Sequence, residues 1–418
     1  MQSGKILILG GGFGGVRAAL DLSKKLGGRA EITLISKNNY HLFVPSLYEV
    51  ASAKVTKTDP FQVTLRTTVS ISYRDIFEGK KITIVQAEMA NVDLTGQMVT
   101  TKSGSSFSYD YLVLALGSEI ADFGIPGVQE YAFHFGSIED ALLVNRTIKK
   151  FYDDAICMPV EQRPGPFRIG IGGAGFSGIE LAAELALYAN NTARSCGMKE
   201  KSVVTIFEAM PGILPQATQN QRDSICRRLD HLGAKILLDA QIASIQPQMV
   251  KLKNGQEVAV DMMIWTAGIQ ASRMLRQIDG LPLDPRGKII VDEYLRVVGT
   301  MNVFAVGDNI IFIDHKTQKP IPSLAYLAVD HGAIAAENIM RSIEGGELQA
   351  HKPFYDIWVA PVGGKWAVAR LWQGITITGF LGWAIRELVD FRYFLSILPP
   401  IKAIKLLWLD IKVFSQND

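Results

Sequence analysis

Short runs of apolar residues alternate with amphipathic stretches along most of this chain. The first run, Lys5 to Leu9, leads into a glycine-rich turn and then into the helical spacing of Val16 to Leu26, before a second run at Glu31 to Ile35. Short, largely apolar runs suit strands that are covered on both faces of a parallel sheet. The pattern therefore predicts a strand, a turn, a helix and a second strand, which is the beginning of an α/β unit.

The same order of elements recurs later in the chain. An apolar run from Phe167 to Ile171 leads into a second glycine-rich turn, a helical pattern at Ile179 to Leu185 and a further run at Val203 to Phe207. We expect residues 190–201, which are mostly polar, to form the loop before that last strand. The repeat predicts an α/β fold with two Rossmann-like domains.

Both turns have the spacing G-x-G-x-x-G. Its first glycine permits a tight turn, its second lets the backbone approach a pyrophosphate, and its third lets the helix pack closely on the strand. The helix that follows directs unpaired N–H groups and a partial positive charge at the phosphates. The expected phosphate-binding residues are Gly10, Gly12, Phe13, Gly14 and Gly15 in the first turn and Gly173, Gly175, Phe176, Ser177 and Gly178 in the second.

The end of the second strand in each unit indicates which nucleotide the unit binds. An acid is expected there, because a carboxylate accepts hydrogen bonds from the ribose hydroxyls. Glu208 occupies this place in the second unit, and no Lys or Arg follows in residues 209–211. A carboxylate repels a 2′-phosphate, so the second unit is expected to prefer NADH to NADPH. The first unit has Ser36 and Lys37 instead, and a serine hydroxyl is a weaker ribose ligand.

Glu180 is placed by this pattern in the first turn of the helix beside the expected nicotinamide site. One interpretation is an acid that complements the helix dipole. The other is a residue that positions the nicotinamide or relays a proton. The sequence leaves both open.

Composition narrows the classes of partner and of site. The chain has 418 residues, enough for two or three cores, and its net charge of +2 gives no reason to expect a nucleic acid as partner. Its three cysteines, Cys157, Cys196 and Cys226, form no C-x-x-C pair. We therefore expect no metal site, no iron–sulfur cluster and no redox-active dithiol.

Two further strands end in small residues, which let a cofactor approach the backbone. One is the segment from Tyr109 to Ser118, and the other runs from Asn302 to Asp308. Asp308, which follows Gly307, is placed to accept a hydrogen bond from a flavin ribityl hydroxyl.

At these residues the chain resembles the flavoproteins with two dinucleotide-binding domains and, among them, the type II NADH dehydrogenases. The resemblance covers nearly the whole chain, and its two most specific segments are Tyr-His-Leu-Phe-x-Pro and Trp-Thr-Ala-Gly. Beside the glycine turns, Glu180 and Glu208, it rests on residues 40–45, Leu47-Tyr48, Ala115-Leu116-Gly117, residues 265–268, Arg286-Gly287-Lys288-Ile289 and Val306-Gly307-Asp308.

The resemblance implies FAD in the first unit and NADH in the second. It implies hydride transfer from NADH to FAD and then two-electron reduction of a quinone of the menaquinone or ubiquinone class, without proton pumping. The FAD domain would comprise residues 1–120 and 285–345, with the NAD domain, residues 121–284, inserted and a C-terminal region at 346–418. Further contacts carried over by the resemblance are Pro45, Ala115, Gly117, Gly307, Asp308 and Leu327 for FAD and Gly268 for NADH.

This sequence departs from the family pattern in three places. Ser36 stands where an acid is usual, and Ser46 where a leucine is usual beside the flavin. Tyr326 and Asp330 stand where the family commonly has two glutamines at the quinone pocket. We expect both to act at that pocket, since a phenol can stack on a quinone or donate a hydrogen bond to its carbonyl, and Asp330 can supply protons if an apolar site raises its pKa. The alternative is that the two substitutions indicate a different acceptor. An NADH-dependent reductase with a ferredoxin-like protein acceptor and a non-catalytic NADH-sensing flavoprotein stay open as alternatives.

The region after about residue 350 is rich in aromatic residues and lacks a nucleotide motif. Pro399-Pro400 predicts the start of a helix. We expect Lys402, Lys405 and Lys412 on the opposite side of this helix from an apolar face, and tryptophan near lysines on an amphipathic helix is typical of a membrane interface. We expect peripheral attachment to the cytoplasmic face of the cell membrane, without a signal peptide or a transmembrane helix. Packing on the protein's own core or in a homodimer is the alternative. The apolar face comprises Ile401, Ile404, Leu407, Trp408 and Ile411.

Overall fold

The computed structural model describes residues 4–54 and 63–414, and residues 415–418 of the predicted C-terminal region lie outside the described residues. The first part of the chain forms strands and helices in close succession. Its strands are β1 (Gly4–Leu9), β2 (Ala30–Ser36), β3 (Tyr40–Leu42), β4 (Ser70–Ser72), β5 (Ile82–Gln86), β6 (Met89–Asp93), β7 (Met98–Thr101), β8 (Ser106–Ser108), β9 (Tyr111–Leu114) and β10 (Ser118–Ile120). Its helices are α1 (Phe13–Leu26), α2 (Leu47–Ser52), α3 (Val63–Val69) and α4 (Tyr73–Ile76).

The next part contains the second glycine turn. Its strands are β11 (Ala132–His134), β12 (Arg168–Gly172), β13 (Val203–Phe207), β14 (Ala234–Leu237), β15 (Ile242–Gln246), β16 (Met249–Leu252), β17 (Glu257–Ala259), β18 (Met262–Trp265) and β19 (Ile269–Ala271). Its helices are α5 (Val128–Tyr131), α6 (Ile138–Ile156), α7 (Phe176–Ser195) and α8 (Gln219–Leu232). Helix α7 is longer than the sequence predicted, so the loop before β13 does not begin at residue 190.

The last part combines a long helix, a small sheet and two terminal helices. It comprises β20 (Ile289–Ile290), β21 (Val303–Ala305), β22 (Ile310–Ile311), β23 (Ile313–Asp314), β24 (Lys319–Pro320), α9 (Ala325–Glu344), β25 (Trp358–Pro361), β26 (Ala367–Arg370), β27 (Thr376–Gly379), α10 (Phe380–Ile397) and α11 (Pro400–Phe414). Strands β25, β26 and β27 form an antiparallel sheet.

Two parallel sheets organise the molecule, which confirms the predicted α/β fold. The first has the order β21-β9-β1-β2-β5, and the second has the order β11-β18-β12-β13-β14. Strand β21 pairs with β9, where Val303 lies opposite Leu112, so segments far apart in the sequence share the first sheet. In both sheets the glycine turn follows a central strand, β1 or β12, at the carboxyl edge where ligands bind in such folds.

Buried residues of both C-terminal helices belong to a core of the first sheet. Phe394 and Ile397 of α10 and Ala403 of α11 belong to the core that contains Ile6 and Ile8 of β1. Helix α11 begins at Pro400, as the double proline predicted. Its apolar face lies away from the core, because Ile401, Ile404 and Trp408 are exposed. Among residues 4–54 and 63–414, none of the helices combines the length and the apolar composition that spanning a bilayer requires.

Candidate active site

The two glycine turns have nearly the same backbone geometry. Gly10 has a φ of +104° and Gly173 a φ of +96°, a left-handed conformation that glycine adopts without strain. A Cβ on Gly10 would overlap the carbonyl oxygen of Ala115, and one on Gly173 would come within 2.6 Å of the Cα of Ala267. Each turn therefore passes close to the end of a neighbouring strand.

The other motif glycines divide into a packed pair and an open pair. A Cβ on Gly15 would overlap the carbonyl oxygen of Gly10, and one on Gly178 would overlap that of Gly173. A Cβ on Gly12 or Gly175 would meet no atom of the described residues within 4 Å. The open side of each turn is the space that a pyrophosphate needs, so the residues present fit two dinucleotides.

Two segments that hold other predicted FAD residues contact the first turn, since Gly14 lies close to Val306, which precedes Gly307, and to the carbonyl oxygen of Ala328, which follows Leu327. A Cβ on Gly14 would come within 2.9 Å of the Val306 side chain, and Leu327 is buried in α9. The Ser118 hydroxyl donates to the Asp308 carboxylate at 3.2 Å. Burial raises the pKa of Asp308, while Lys288 opposes the rise. Gly117 and Gly307 have φ values of +68° and +85°, Pro45 lies in a short helix at Val44–Ser46, and Lys37 is exposed.

Ser36, at the end of β2, is buried and contacts a residue that sequence reasoning missed. Its hydroxyl lies 3.1 Å from the hydroxyl of Tyr73, which in turn donates to the carbonyl oxygen of Gly11 at 3.0 Å. The first turn therefore has a serine and a tyrosine where its counterpart has a carboxylate.

Glu208 directly follows β13, beside the second turn, where a ribose ligand is expected. Its Oε2 accepts a hydrogen bond from the Ala174 N–H at 2.7 Å, and its Oε1 accepts one from the Met210 N–H at 2.9 Å. Gly268 follows β18, and a Cβ at this position would come within 2.7 Å of the Phe123 ring. Phe176 packs on Trp358, and Ser177 is exposed at the start of α7.

Glu180 lies in the second turn of α7, because the helix begins at Phe176 and has no acid in its first turn. The interpretation of Glu180 as a first-turn acid that complements the helix dipole is therefore wrong. Burial raises its pKa to about 8; Arg386 opposes this rise, whereas Glu49 and Asp390 reinforce it. Glu180 thus lies where charges from α2, α7 and α10 converge.

Arg386, on α10, is the centre of this group of charges, and sequence reasoning missed it. Its guanidinium donates to both carboxylate oxygens of Glu49, at 3.0 and 3.1 Å, and to the Ser46 hydroxyl at 2.9 Å. It also contacts Glu387 at 2.8 Å and Asp390 at 3.1 Å. The serine that departs from the family pattern at position 46 is therefore a partner of Arg386.

Carboxyl groups outnumber the guanidinium in this cluster, which we call the Arg386 cluster and define as Glu49, Glu180, Arg386, Glu387, Asp390 and Asp410. Burial raises the pKa of Asp390 to about 7 and that of Asp410 well above its usual range. Several buried carboxylates cannot all be ionised around one cation, because the uncompensated charge would have to be desolvated. The Arg386 cluster consequently holds protons at neutral pH.

Tyr326 and Asp330 are one helical turn apart on α9 and have different neighbours. The Tyr326 hydroxyl is buried without a hydrogen-bond partner among the residues that the structure describes. Burial raises the pKa of Tyr326, and Asp356 and Asp330 add to the rise. The Asp330 carboxylate lies 3.4 Å from Nδ1 of the buried His351, and burial raises its pKa as well. Because they are four residues apart in the helix, the two residues share one face of α9.

One family model and several known proteins match this chain. The family model, pyridine nucleotide-disulphide oxidoreductase, matches residues 4–332. The type II NADH:quinone oxidoreductase of Staphylococcus haemolyticus is 28% identical over 395 residues, which cover 93% of this chain and 94% of the relative. That of Staphylococcus saprophyticus is 28% identical over 82% of this chain and 83% of its own length.

Two solved structures show the same fold. The NDH2 protein of Plasmodium falciparum in complex with NADH superposes with a TM-score of 0.85 at 19% identity, covering 99% of each chain. The sulfide:quinone oxidoreductase of Aquifex aeolicus superposes with a TM-score of 0.76 at 21% identity, covering 94% of this chain and 91% of that one. On the matched family model and the paired glycine turns, the chain belongs to the pyridine nucleotide-disulphide oxidoreductase family.

Proposed function

We propose that this chain is an FAD-dependent NADH:quinone oxidoreductase that does not pump protons. The observation that carries the proposal is the pair of glycine turns with the same geometry, each open in front of its second glycine. The relatives that match 93% and 82% of the chain at 28% identity are type II NADH:quinone oxidoreductases. When bound, FAD accepts a hydride from NADH and passes two electrons to the quinone.

The residues of this chain provide binding, orientation and proton transfer. The first turn and Asp308 are proposed to hold FAD, and the second turn and Glu208 to hold NADH. Glu180, on α7 of the second unit, lies close enough to Glu49 of α2 and Arg386 of α10 for both charges to shift its pKa. We place it beside the nicotinamide, where it keeps a proton at neutral pH. Tyr326 and Asp330 are proposed to contact the quinone, because an unpartnered buried phenol is free to donate to a carbonyl.

Acceptor preference tests the proposal. Purified holoprotein is expected to oxidise NADH rapidly with menaquinone or ubiquinone analogues and slowly with a ferredoxin. Faster turnover with the ferredoxin would show that the electron acceptor is a protein and not a quinone. NADH binding without turnover on any acceptor would make the chain an NADH-sensing flavoprotein.

The coenzyme preference is expected to depend on Glu208. In the variant Glu208→Gln, loss of the negative charge weakens the hydrogen bonds that this side chain accepts from the ribose hydroxyls. It also removes the repulsion of a 2′-phosphate. We expect kcat/KM for NADH to fall about tenfold and the NADH-to-NADPH ratio to narrow. The control is Glu257→Gln, which removes an exposed acid of the same unit that pairs with Lys251. An unchanged ratio in Glu208→Gln would contradict the assignment.

The exposed face of α11 is proposed to lie in a membrane interface on the cytoplasmic side. Its opposite face packs on the protein, because Ala403 and Asp410 are buried and the Lys402 ammonium pairs with Asp75 at 2.6 Å. Trp408 and the ammonium of Lys412, 4.8 Å from its ring, project from the outer side. An amphipathic helix with this distribution inserts its apolar side among lipid headgroups.

Charges introduced on this face are expected to weaken membrane binding. The double variant Ile404→Glu with Trp408→Glu removes two apolar side chains, each contributing about 1.5–3 kcal/mol when buried. We expect at least hundredfold weaker binding to anionic vesicles in co-sedimentation. The control is Met301→Glu, which changes an exposed apolar residue of the proposed FAD domain, away from α11 in the sequence. Unchanged vesicle binding together with dissociation of a dimer would identify the face as a subunit interface.

A further inference from the structure

The carbonyl oxygen of Gly11, in the middle of the first glycine turn, accepts hydrogen bonds from two buried side chains. One is the hydroxyl of Tyr73, at 3.0 Å, and the other is Nδ1 of His41, at 3.1 Å. The antiparallel pair β3–β4 places both donors, because His41 lies opposite Ile71 and Tyr73 follows the end of β4. Two donors from one small ladder therefore converge on one carbonyl.

These contacts determine where the protons lie. A carbonyl can only accept, so Nδ1 of His41 must be protonated. Burial lowers the pKa of His41 to about 4, so the ring is neutral at pH 7 and its Nε2 is an acceptor. The partner of that Nε2 is the hydroxyl of Tyr393, on α10, at 2.8 Å. Tyr393 thus donates to His41, and His41 donates to Gly11.

Aromatic packing holds in place this chain of hydrogen bonds from Tyr393 through His41 to Gly11, which we call the Tyr393 relay. The ring of Tyr393 stacks on Phe43 with 5.6 Å between centroids and contacts Phe13 at 5.0 Å. Phe13 also packs edge-on against the His41 ring at 4.7 Å. The hydroxyl of Tyr393 and the imidazole therefore have little freedom to separate.

In the part of the chain that the structure describes, the second glycine turn has no such relay. The equivalent carbonyl, that of Ala174, accepts from the backbone N–H of Leu214 at 3.4 Å. The first glycine of each turn, in contrast, has the same kind of partner in both units. The Gly10 N–H donates to the carbonyl oxygen of Ile35, and the Gly173 N–H donates to that of Phe207, both at 2.8 Å. The side-chain relay is thus an addition to the first turn and not a requirement of the glycine motif.

A peptide group is planar and trans, so its C=O and N–H point in opposite directions. When the Gly11 carbonyl is held toward His41 and Tyr73, the Gly12 N–H faces the other side of the peptide. We propose that Tyr393 is a positioning residue for FAD: through His41 it fixes the Gly11–Gly12 peptide with its N–H toward the cofactor phosphates. This inference rests on the proposed function insofar as FAD occupies the first site.

Helix α10, the first of the two C-terminal helices, would then form part of the flavin site. Tyr393→Phe removes the donor to Nε2 and lets His41 adopt the other tautomer, which cannot donate to Gly11. We expect FAD to bind about two- to tenfold more weakly, since one hydrogen bond is lost. The measurement is the FAD dissociation constant from the fluorescence of released flavin, with the unfolding temperature determined in parallel.

A double-mutant cycle separates the relay from general packing. In His41→Asn the amide nitrogen occupies the place of Nδ1 and donates to Gly11 without help from Tyr393. Tyr393→Phe is therefore expected to change FAD affinity by less than about 1.5-fold in the His41→Asn background. Tyr152→Phe, which removes a buried hydroxyl bonded to Ser202 in the second unit, is the control and is expected to leave FAD affinity unchanged.

Equal effects of Tyr393→Phe in both backgrounds, or no effect in either, would overturn the inference while leaving FAD binding intact. A wild-type chain that binds no FAD would overturn the proposed function as well. Nitrogen NMR of the unsubstituted holoprotein gives an answer independent of variants: the relay requires His41 to be protonated at Nδ1, and protonation at Nε2 would refute it.

Discussion

Replacing Arg386 by methionine is expected to destabilise the folded chain by roughly 3–5 kcal/mol. Methionine retains much of the side-chain volume but leaves Glu49 without the guanidinium that contacts both of its carboxylate oxygens. The neighbouring Glu387 and Asp390 then lie together without a cation. Urea unfolding followed by circular dichroism measures the change.

The loss is expected to shrink as the pH falls. Burial already raises the pKa of Glu49 in the folded chain, and removing Arg386 raises it further. The unfolded chain releases this proton above about pH 4, whereas the folded variant retains it, so its stability falls as the pH rises from there. Arg66→Met, which breaks an exposed pair with Glu139, is expected to cost less than about 1 kcal/mol at every pH. A pH-independent loss in Arg386→Met would show that the guanidinium contributes packing alone.

Replacing Gly15 by alanine is expected to abolish stoichiometric FAD binding. The added Cβ would overlap the backbone carbonyl of Gly10, and backbone cannot move aside as a flexible side chain can. Separating α1 from β1 costs about 3 kcal/mol and displaces the N–H groups that face the phosphates. The flavin-to-protein ratio after purification and the unfolding temperature are the measurements.

Gly12→Ala is the informative comparison, because its Cβ meets no described atom within 4 Å and its φ of −76° suits alanine. This variant should fold with an unchanged unfolding temperature. It should nevertheless bind FAD more weakly than the wild-type chain, since the methyl group occupies the phosphate space. Gly165→Ala, where space is likewise open among the described residues, should affect neither property. Full flavin content in Gly15→Ala would contradict the close packing of helix on strand.

The elements that carry the glycine turns were predictable because their signals are local. Strand β13 begins and ends at Val203 and Phe207, as the apolar run indicated. The loop expected at residues 190–201 was wrong at its start, because α7 continues to Ser195. Ala189 and Ala193 are buried in the core, and this packing outweighs the weak helix propensity of the asparagines between them.

The Arg386 cluster and the Tyr393 relay could not be predicted from local patterns. The partners of Arg386 include Ser46 and Glu49, 340 and 337 residues away in the sequence. Within α10, Arg386 and Asp390 look like an ordinary solvated pair at helical spacing. Ser46 and Ser36 stood out as departures from the family pattern, yet only the structure shows that they contact Arg386 and Tyr73.

Single-turnover kinetics of the holoprotein test the central claim, electron transfer from NADH through FAD to a quinone, most directly. When the holoprotein is mixed with NADH under anaerobic conditions, the flavin absorbance is expected to bleach. A menaquinone or ubiquinone analogue added in a second mixing step is expected to restore the absorbance at a rate sufficient for turnover. Flavin that NADH does not bleach, or bleached flavin that no quinone reoxidises, would contradict the account.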